Sequence, residues 1–124
     1  MTTVGQTSGE PAELDALFAL AVGQQRAGRL AEAAATYRKI LAIRPASAVA
    51  HNNLAVILWQ LGQLDDAAGH YEHAIALAPD YADALGNLGT LLLGQGKLDQ
   101  AAVHFEQALA LRPENVAAHN NLGV

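Results

Sequence analysis

All four prolines of this chain stand in one register: Pro11, Pro45, Pro79 and Pro113, each 34 residues after the last. Gly28, Gly62 and Gly96 keep the same step. So do Leu30, Leu64 and Leu98, the alanines Ala33, Ala67 and Ala101, and the rings Tyr37, Tyr71 and Phe105. A fixed step across so many positions means that the chain repeats one unit. That constrains the fold more than any other feature. A unit of this length cannot bury its apolar face alone and must stack on its neighbours.

Each unit has a physical reading. Proline cannot donate an i→i−4 hydrogen bond but fits a first helical turn, so it ends one helix and starts the next. Helical periodicity follows, and then a glycine that permits a tight turn between antiparallel helices. Glu32, Asp65 with Asp66, and Asp99 open the second helices, where the helix dipole favours negative charge. The spacing predicts helices at roughly 11–27, 30–43, 46–61, 64–78, 80–95, 98–111 and 114–124, with ends good to about 2–4 residues. Residues 1–9 read as a flexible polar segment. The repeats fall at about 14–47, 48–81 and 82–115, with a half repeat at 116–124, so that one domain spans 11–124.

Composition agrees with helices. Hydrophobic residues make up 52% of the 124, mostly Ala and Leu, and aromatics only 5%, so strand formers are scarce. The net charge of −5 with no basic stripe argues against nucleic acid as a partner. The absence of cysteine excludes disulfides, zinc knuckles and a thiol nucleophile. The N-terminus lacks the charged and apolar regions of a signal peptide, and the apolar run from Leu54 to Trp59 is too short to span a bilayer. The expectation is a soluble cytoplasmic protein without membrane partners. Charge is uneven: five basic residues and one acidic lie between Arg26 and Arg44, whereas two basic and eight acidic lie from Pro45 onward. A solvated face accounts for this pattern, and head-to-tail steering is the alternative.

The chain resembles the tetratricopeptide repeat (TPR) family, with its 34-residue helix–turn–helix pattern W-x2-L-G-x2-Y…A-x3-F…P. The second unit offers His51, Leu54, Ala55, Leu58, Gly62, Ala67, Tyr71, Ala74 and Pro79; the third offers Leu85, Leu88, Gly89, Leu92, Gly96, Ala101, Phe105, Ala108 and Pro113. The first offers Leu17, Leu20, Ala21, Gly28, Ala33, Tyr37 and Pro45, and departs at Gln24 and Ile40. Those departures suit a terminal repeat with one side unstacked. The resemblance implies an all-α, right-handed α-solenoid of about three and a half repeats, with the first helix of each pair lining a concave groove. Small residues at Ala21, Ala55 and Gly89, and at Ala33, Ala67 and Ala101, let the paired helices approach closely.

The polar candidates follow from this frame. Asn53, Asn87 and Asn121 stand one repeat apart on the first helices, with Ala19 at the matching place of the first repeat. An amide offers donors and an acceptor together, which matches a peptide backbone. The series is similar to the asparagine ladder of O-linked N-acetylglucosamine transferases and related TPR proteins. A purely structural bridging role is the alternative. Around it the groove should hold Asn52, Val56 and Trp59 from the second repeat, and Thr90 and Leu93 from the third. Trp59 reads equally as a core residue or as a groove anchor. Chaperone-binding TPR domains clamp a carboxylate with Lys, Asn and Arg. Here Phe18, Val22, Val49, Asp83 and Asn87 occupy the corresponding places, which argues against a carboxylate clamp.

His51 and His119 stand where the family often has Trp and read as packing residues. His70 and His73 share a helical face, with His104 one repeat after His70. No carboxylate completes a ligand set with them, so no metal and no cofactor is expected. Nor is there a phosphate loop, a paired-carboxylate motif or a Ser/His/Asp arrangement, so no enzyme is expected. The expected function is a non-catalytic module that binds a peptide or protein segment in its groove. Two alternatives stay open. One is the substrate-presenting N-terminal part of a larger enzyme such as a glycosyltransferase. The other is a homo-oligomeric scaffold that self-associates through the exposed C-terminal half repeat.

Overall fold

The computed structural model describes the backbone of residues 2–111 and the side chains of residues 12–111. The expected helix at 114–124, with His119 and Asn121, lies outside the described residues. Six helices follow one another: α1 (Thr2–Arg26), α2 (Leu30–Ile43), α3 (Ala48–Gln60), α4 (Leu64–Leu77), α5 (Ala82–Gly94) and α6 (Leu98–Leu111). They pair as α1·α2, α3·α4 and α5·α6, and each pair packs on the next through α2·α3 and α4·α5. This is the TPR solenoid that the 34-residue step implies. None of the described helices is long and apolar enough to cross a membrane.

The turns within pairs are set by glycine. Gly28, Gly62 and Gly96 have φ of +80°, +82° and +79°, the left-handed region where a side chain is strained. The amides after them reach back across the turn, Arg29 N–H to the Gln24 carbonyl, Gln63 to Leu58 and Lys97 to Leu92, at 2.8–2.9 Å. These long back-bonds close the helix ends.

The turns between pairs work differently from the sequence expectation. Pro45 and Pro79 do not start helices but stand in the connecting turns, ahead of Ser47 and Tyr81, the residues that precede α3 and α5. Arg44 and Ala78, just before them, have φ near −134° and −140°. A proline pushes its predecessor out of the helical region, so here it acts as a stop. At α3 the start comes from Ser47, whose hydroxyl accepts the Ala50 amide at 3.1 Å. At the other end, α1 begins at Thr2 and not at Pro11, so helix runs through 2–9, where the sequence suggests a flexible segment. Pro11 withholds a single amide hydrogen, and the helix carries across it.

The core is built as the repeat demands. Ala33, Ala67 and Ala101 are buried at the contacts between paired helices, with Tyr37, Tyr71 and Phe105 beside them. Ala21 and Ala55 are fully buried too. At the third equivalent place a Cβ on Gly89 would lie 2.7 Å from the Phe105 ring, so glycine is required there. Gln24, the departure in the first repeat, has its own partner: its amide oxygen lies 2.6 Å from the hydroxyl of the buried Thr36. The first repeat thus replaces a leucine contact with a hydrogen bond.

Candidate functional site

The first helices of the second and third repeats come together on one side of the stack. α3 touches α5 directly, a contact that the second helices α4 and α6 do not match. Curvature therefore brings the first-helix side inward, and this is the concave face.

A chain of amides runs along it. Asn87 Nδ2 on α5 donates to Asn52 Oδ1 on α3 at 3.3 Å. Asn52 Nδ2 donates to Asn53 Oδ1 at 3.4 Å, and Asn53 Nδ2 donates to the Tyr37 hydroxyl at 3.3 Å. The repeat-to-repeat link thus joins Asn87 to Asn52, not to Asn53. Asn52 is only 6% exposed, so it holds its neighbours in place. Asn53 and Asn87 are half-buried. In these bonds each uses part of an amide's capacity of two donors and an accepting oxygen.

The other groove residues divide. Val56 and Trp59 are half-buried and pack against the core, and the Trp59 ring sets its edge on Tyr71 at 6.4 Å. Trp59 thus packs on the core along one edge and stays partly exposed. Thr90 is half-buried, with its hydroxyl donating to the Gly86 carbonyl at 3.0 Å. Leu93 is 37% exposed. Near the first repeat's end of the face, Leu14, Asp15, Phe18, Ile40, Arg44 and Ser47 line a hollow of about 130 Å³. Burial raises the Tyr37 hydroxyl's pKa, and the Asn53 bond pulls it back.

A second constellation joins His51 to the pair His70 and His73, which the sequence groups on one helical face without it. His51 on α3 meets His70 and His73 on α4, and one nitrogen from each falls within 4.8 Å of the others. His51 Nδ1 lies 3.0 Å from His70 Nδ1, and His51 Nε2 lies 3.1 Å from the Pro45 carbonyl oxygen. The His51 ring stacks on His70 at 5.2 Å and tilts against His73 at 5.1 Å. Burial lowers the pKa of both His51 and His70. For His51 the Pro45 bond opposes this and His73 adds to it. For His70, His51, His73 and Arg38 add to it, whereas Asp66 opposes. The signal was present in the sequence: His51 and His73 lie equally far before and after Gly62, and an antiparallel pair brings such residues together.

The same helix pairs recur in known proteins. The chain is similar to the second TPR domain of human RPAP3, solved in complex with the HSP70 peptide SGPTIEEVD. The identity is 26%, over 92% of this chain and 95% of that one, with a TM-score of 0.85. It is similar to a Thermobaculum terrenum O-GlcNAc transferase at 29% identity, over 91% of this chain but 22% of the transferase, with a TM-score of 0.85. Pseudomonas aeruginosa pilF matches at 31% identity, over 92% of this chain and 52% of that chain, with a TM-score of 0.82. A comparison with curated protein sequences finds none that matches. One TPR profile matches residues 26–62, and another, described as tetratricopeptide repeat, matches residues 46–114. The second spans more than half of the sequence, and with the helix pairs above it places this chain in the tetratricopeptide repeat family.

Proposed function

We propose that the chain is a non-catalytic interaction module that holds an extended peptide or protein segment along its concave face. The observation that carries this reading is the amide chain from Asn87 through Asn52 and Asn53 to Tyr37. Asn52 fixes Asn53 and Asn87 in position, so ordering them on binding costs little side-chain entropy. Their unused donors and acceptors match a peptide backbone, and Val56, Trp59 and Leu93 supply apolar contact beside them. The peptide complex of the RPAP3 domain supports this use of the fold.

The segment bound here differs in chemistry from that peptide, which ends in Glu, Glu, Val and Asp. Phe18, Val22, Val49, Asp83 and Asn87 stand where a carboxylate clamp for an acidic C-terminus needs Lys, Asn and Arg. The preferred segment is neutral, with apolar side chains. Two measurements test the reading. Titration with SGPTIEEVD should give no saturable binding, and tight binding would sink the neutral-ligand assignment. In affinity capture from the native cell, Asn53→Ala, Asn87→Ala and Trp59→Ala should each weaken retention of whatever the unmodified chain retains. Equal retention by all three would refute groove binding.

A second reading has the groove present substrate to a catalytic domain. It is favoured by the match to the transferase, of which this chain spans 22%. The full reading frame of the gene decides it: a transferase domain downstream would support it, and a stop after the repeats would remove it.

A further inference from the structure

Three histidines meet at one place in the second repeat and nowhere else among the described repeats. The places matching His51 hold Leu17 in the first repeat and Leu85 in the third. Leucine therefore satisfies the packing at this position in the first and third repeats, so packing does not require an imidazole at His51. In the third repeat the described partner of His104 is Gln107, with Nδ1 and Oε1 3.3 Å apart. The places matching His70 and His73 in the first repeat are Thr36 and Lys39.

The His51 environment is the one a ligand histidine uses. With its Nε2–H donating to the Pro45 carbonyl, its Nδ1 carries a lone pair aimed at His70. Metal-bound histidines are held in this way, by a hydrogen bond from the nitrogen that faces away from the ion. His70 and His73, three residues apart, lie side by side on α4. Tetrahedral coordination at the usual zinc–nitrogen distance of about 2.0–2.1 Å separates ligand nitrogens by roughly 3.3 Å. The 3.0 Å His51–His70 separation and the 4.8 Å span of the three nitrogens bracket that value. Beside the cluster, Pro45, His51, His73, Ala76 and Leu77 line an open hollow of about 280 Å³, which leaves room for a water or a fourth ligand.

We propose that His51, His70 and His73 form a binding site for a late first-row divalent transition-metal ion, which ties α3 to α4 and keeps one coordination position open. Three imidazoles suit Zn²⁺, Ni²⁺ or Cu²⁺ and not Mg²⁺ or Ca²⁺, which take oxygen. Without metal, the short His51–His70 contact requires one shared proton, donated by His70 Nδ1–H to His51 Nδ1. The ion takes the place of that proton, which moves to His70 Nε2. That exchange changes the His70 tautomer and releases no proton from the His51–His70 pair. Of the charged groups around His70, Arg38 and Asp66 act on it with opposite signs.

The test uses the untagged full chain, stripped with chelator, and Zn²⁺ as the probe. Calorimetric titration should show one Zn²⁺ per chain, and thermal unfolding followed by circular dichroism should shift to higher temperature with Zn²⁺ but not with Mg²⁺. His51→Leu places the residue of the sister repeats at this position and should fold, yet lose roughly tenfold or more in affinity. His73→Gln changes an exposed side chain and should lose affinity comparably, with the helical signal unchanged. His104→Gln should bind like the unmodified chain. Absence of saturable one-to-one binding would overturn the site, and so would unchanged affinity in both His51→Leu and His73→Gln.

Discussion

The two junctions between described repeats carry the same residues in the same register and use them differently. At the first junction Tyr37 is fully buried and its hydroxyl accepts from Asn53 at 3.3 Å. At the second, Tyr71 is as deeply buried, and the matching amide is Asn87. Asn87 turns away to Asn52, and the Tyr71 hydroxyl has no hydrogen-bond partner among the described residues. Burial alone then pushes its pKa far above the usual phenol value. A repeated sequence thus does not give repeated bonding. An amide reaches one of two partners, and a preceding Asn, present at Asn52 but replaced by Phe18 a repeat earlier, decides which.

Several substitutions sharpen or break this contrast. The largest effect belongs to the shared packing. Ala67→Leu overfills a fully buried contact and should cost about 1–3 kcal/mol in urea unfolding. An unchanged midpoint would overturn the close approach of α3 and α4. Next comes Gly89→Ala, where the new Cβ would meet the Phe105 ring at 2.7 Å. Helix propensity favours alanine by up to about 1 kcal/mol, which offsets part of an overpacking cost of about 1–3 kcal/mol. The net loss should vanish when Phe105→Leu is added, and a purely additive double variant would contradict the ring contact.

The smallest pair tests the junctions themselves. Tyr37→Phe removes an acceptor that Asn53 uses and should cost about 0.5–1.5 kcal/mol. Tyr71→Phe removes a hydroxyl buried without a partner and should be neutral or stabilising by up to about 1 kcal/mol. Equal losses at both positions would erase the distinction. If Asn52→Ala frees Asn87 to reach Tyr71, the Tyr71→Phe change should become unfavourable in that background.

The repeat step made the fold legible, because Gly28, Gly62, Gly96 and the buried alanines report directly on turns and on helix spacing. The prolines were legible as punctuation but not as to their place: a stop and a start look alike until the Ser47 cap is seen. Gln24 read as a terminal departure, and its partner Thr36 lies twelve residues on, across a turn. Asn53 and Asn87 were readable as a series, but which partner each amide takes depends on side-chain rotamers that a register does not encode. The histidine cluster was hidden for another reason. Reading along one helix groups His70 with His73, and only the antiparallel fold adds His51.

The packing pattern also bears on how the molecule comes apart. Each helix rests on its neighbours in sequence, and α3 on α5 is the one further contact of substance among the described helices. Nothing distant needs to find its partner, so the chain closes only short loops as it folds, which favours rapid folding. Loss of structure from an end leaves the remaining pairs intact. Amide exchange should therefore be graded along the stack, slowest in α3 and α4, which are gripped on both sides. Among the described repeats, the second, which carries the inner amides and the three histidines, is then the last to open.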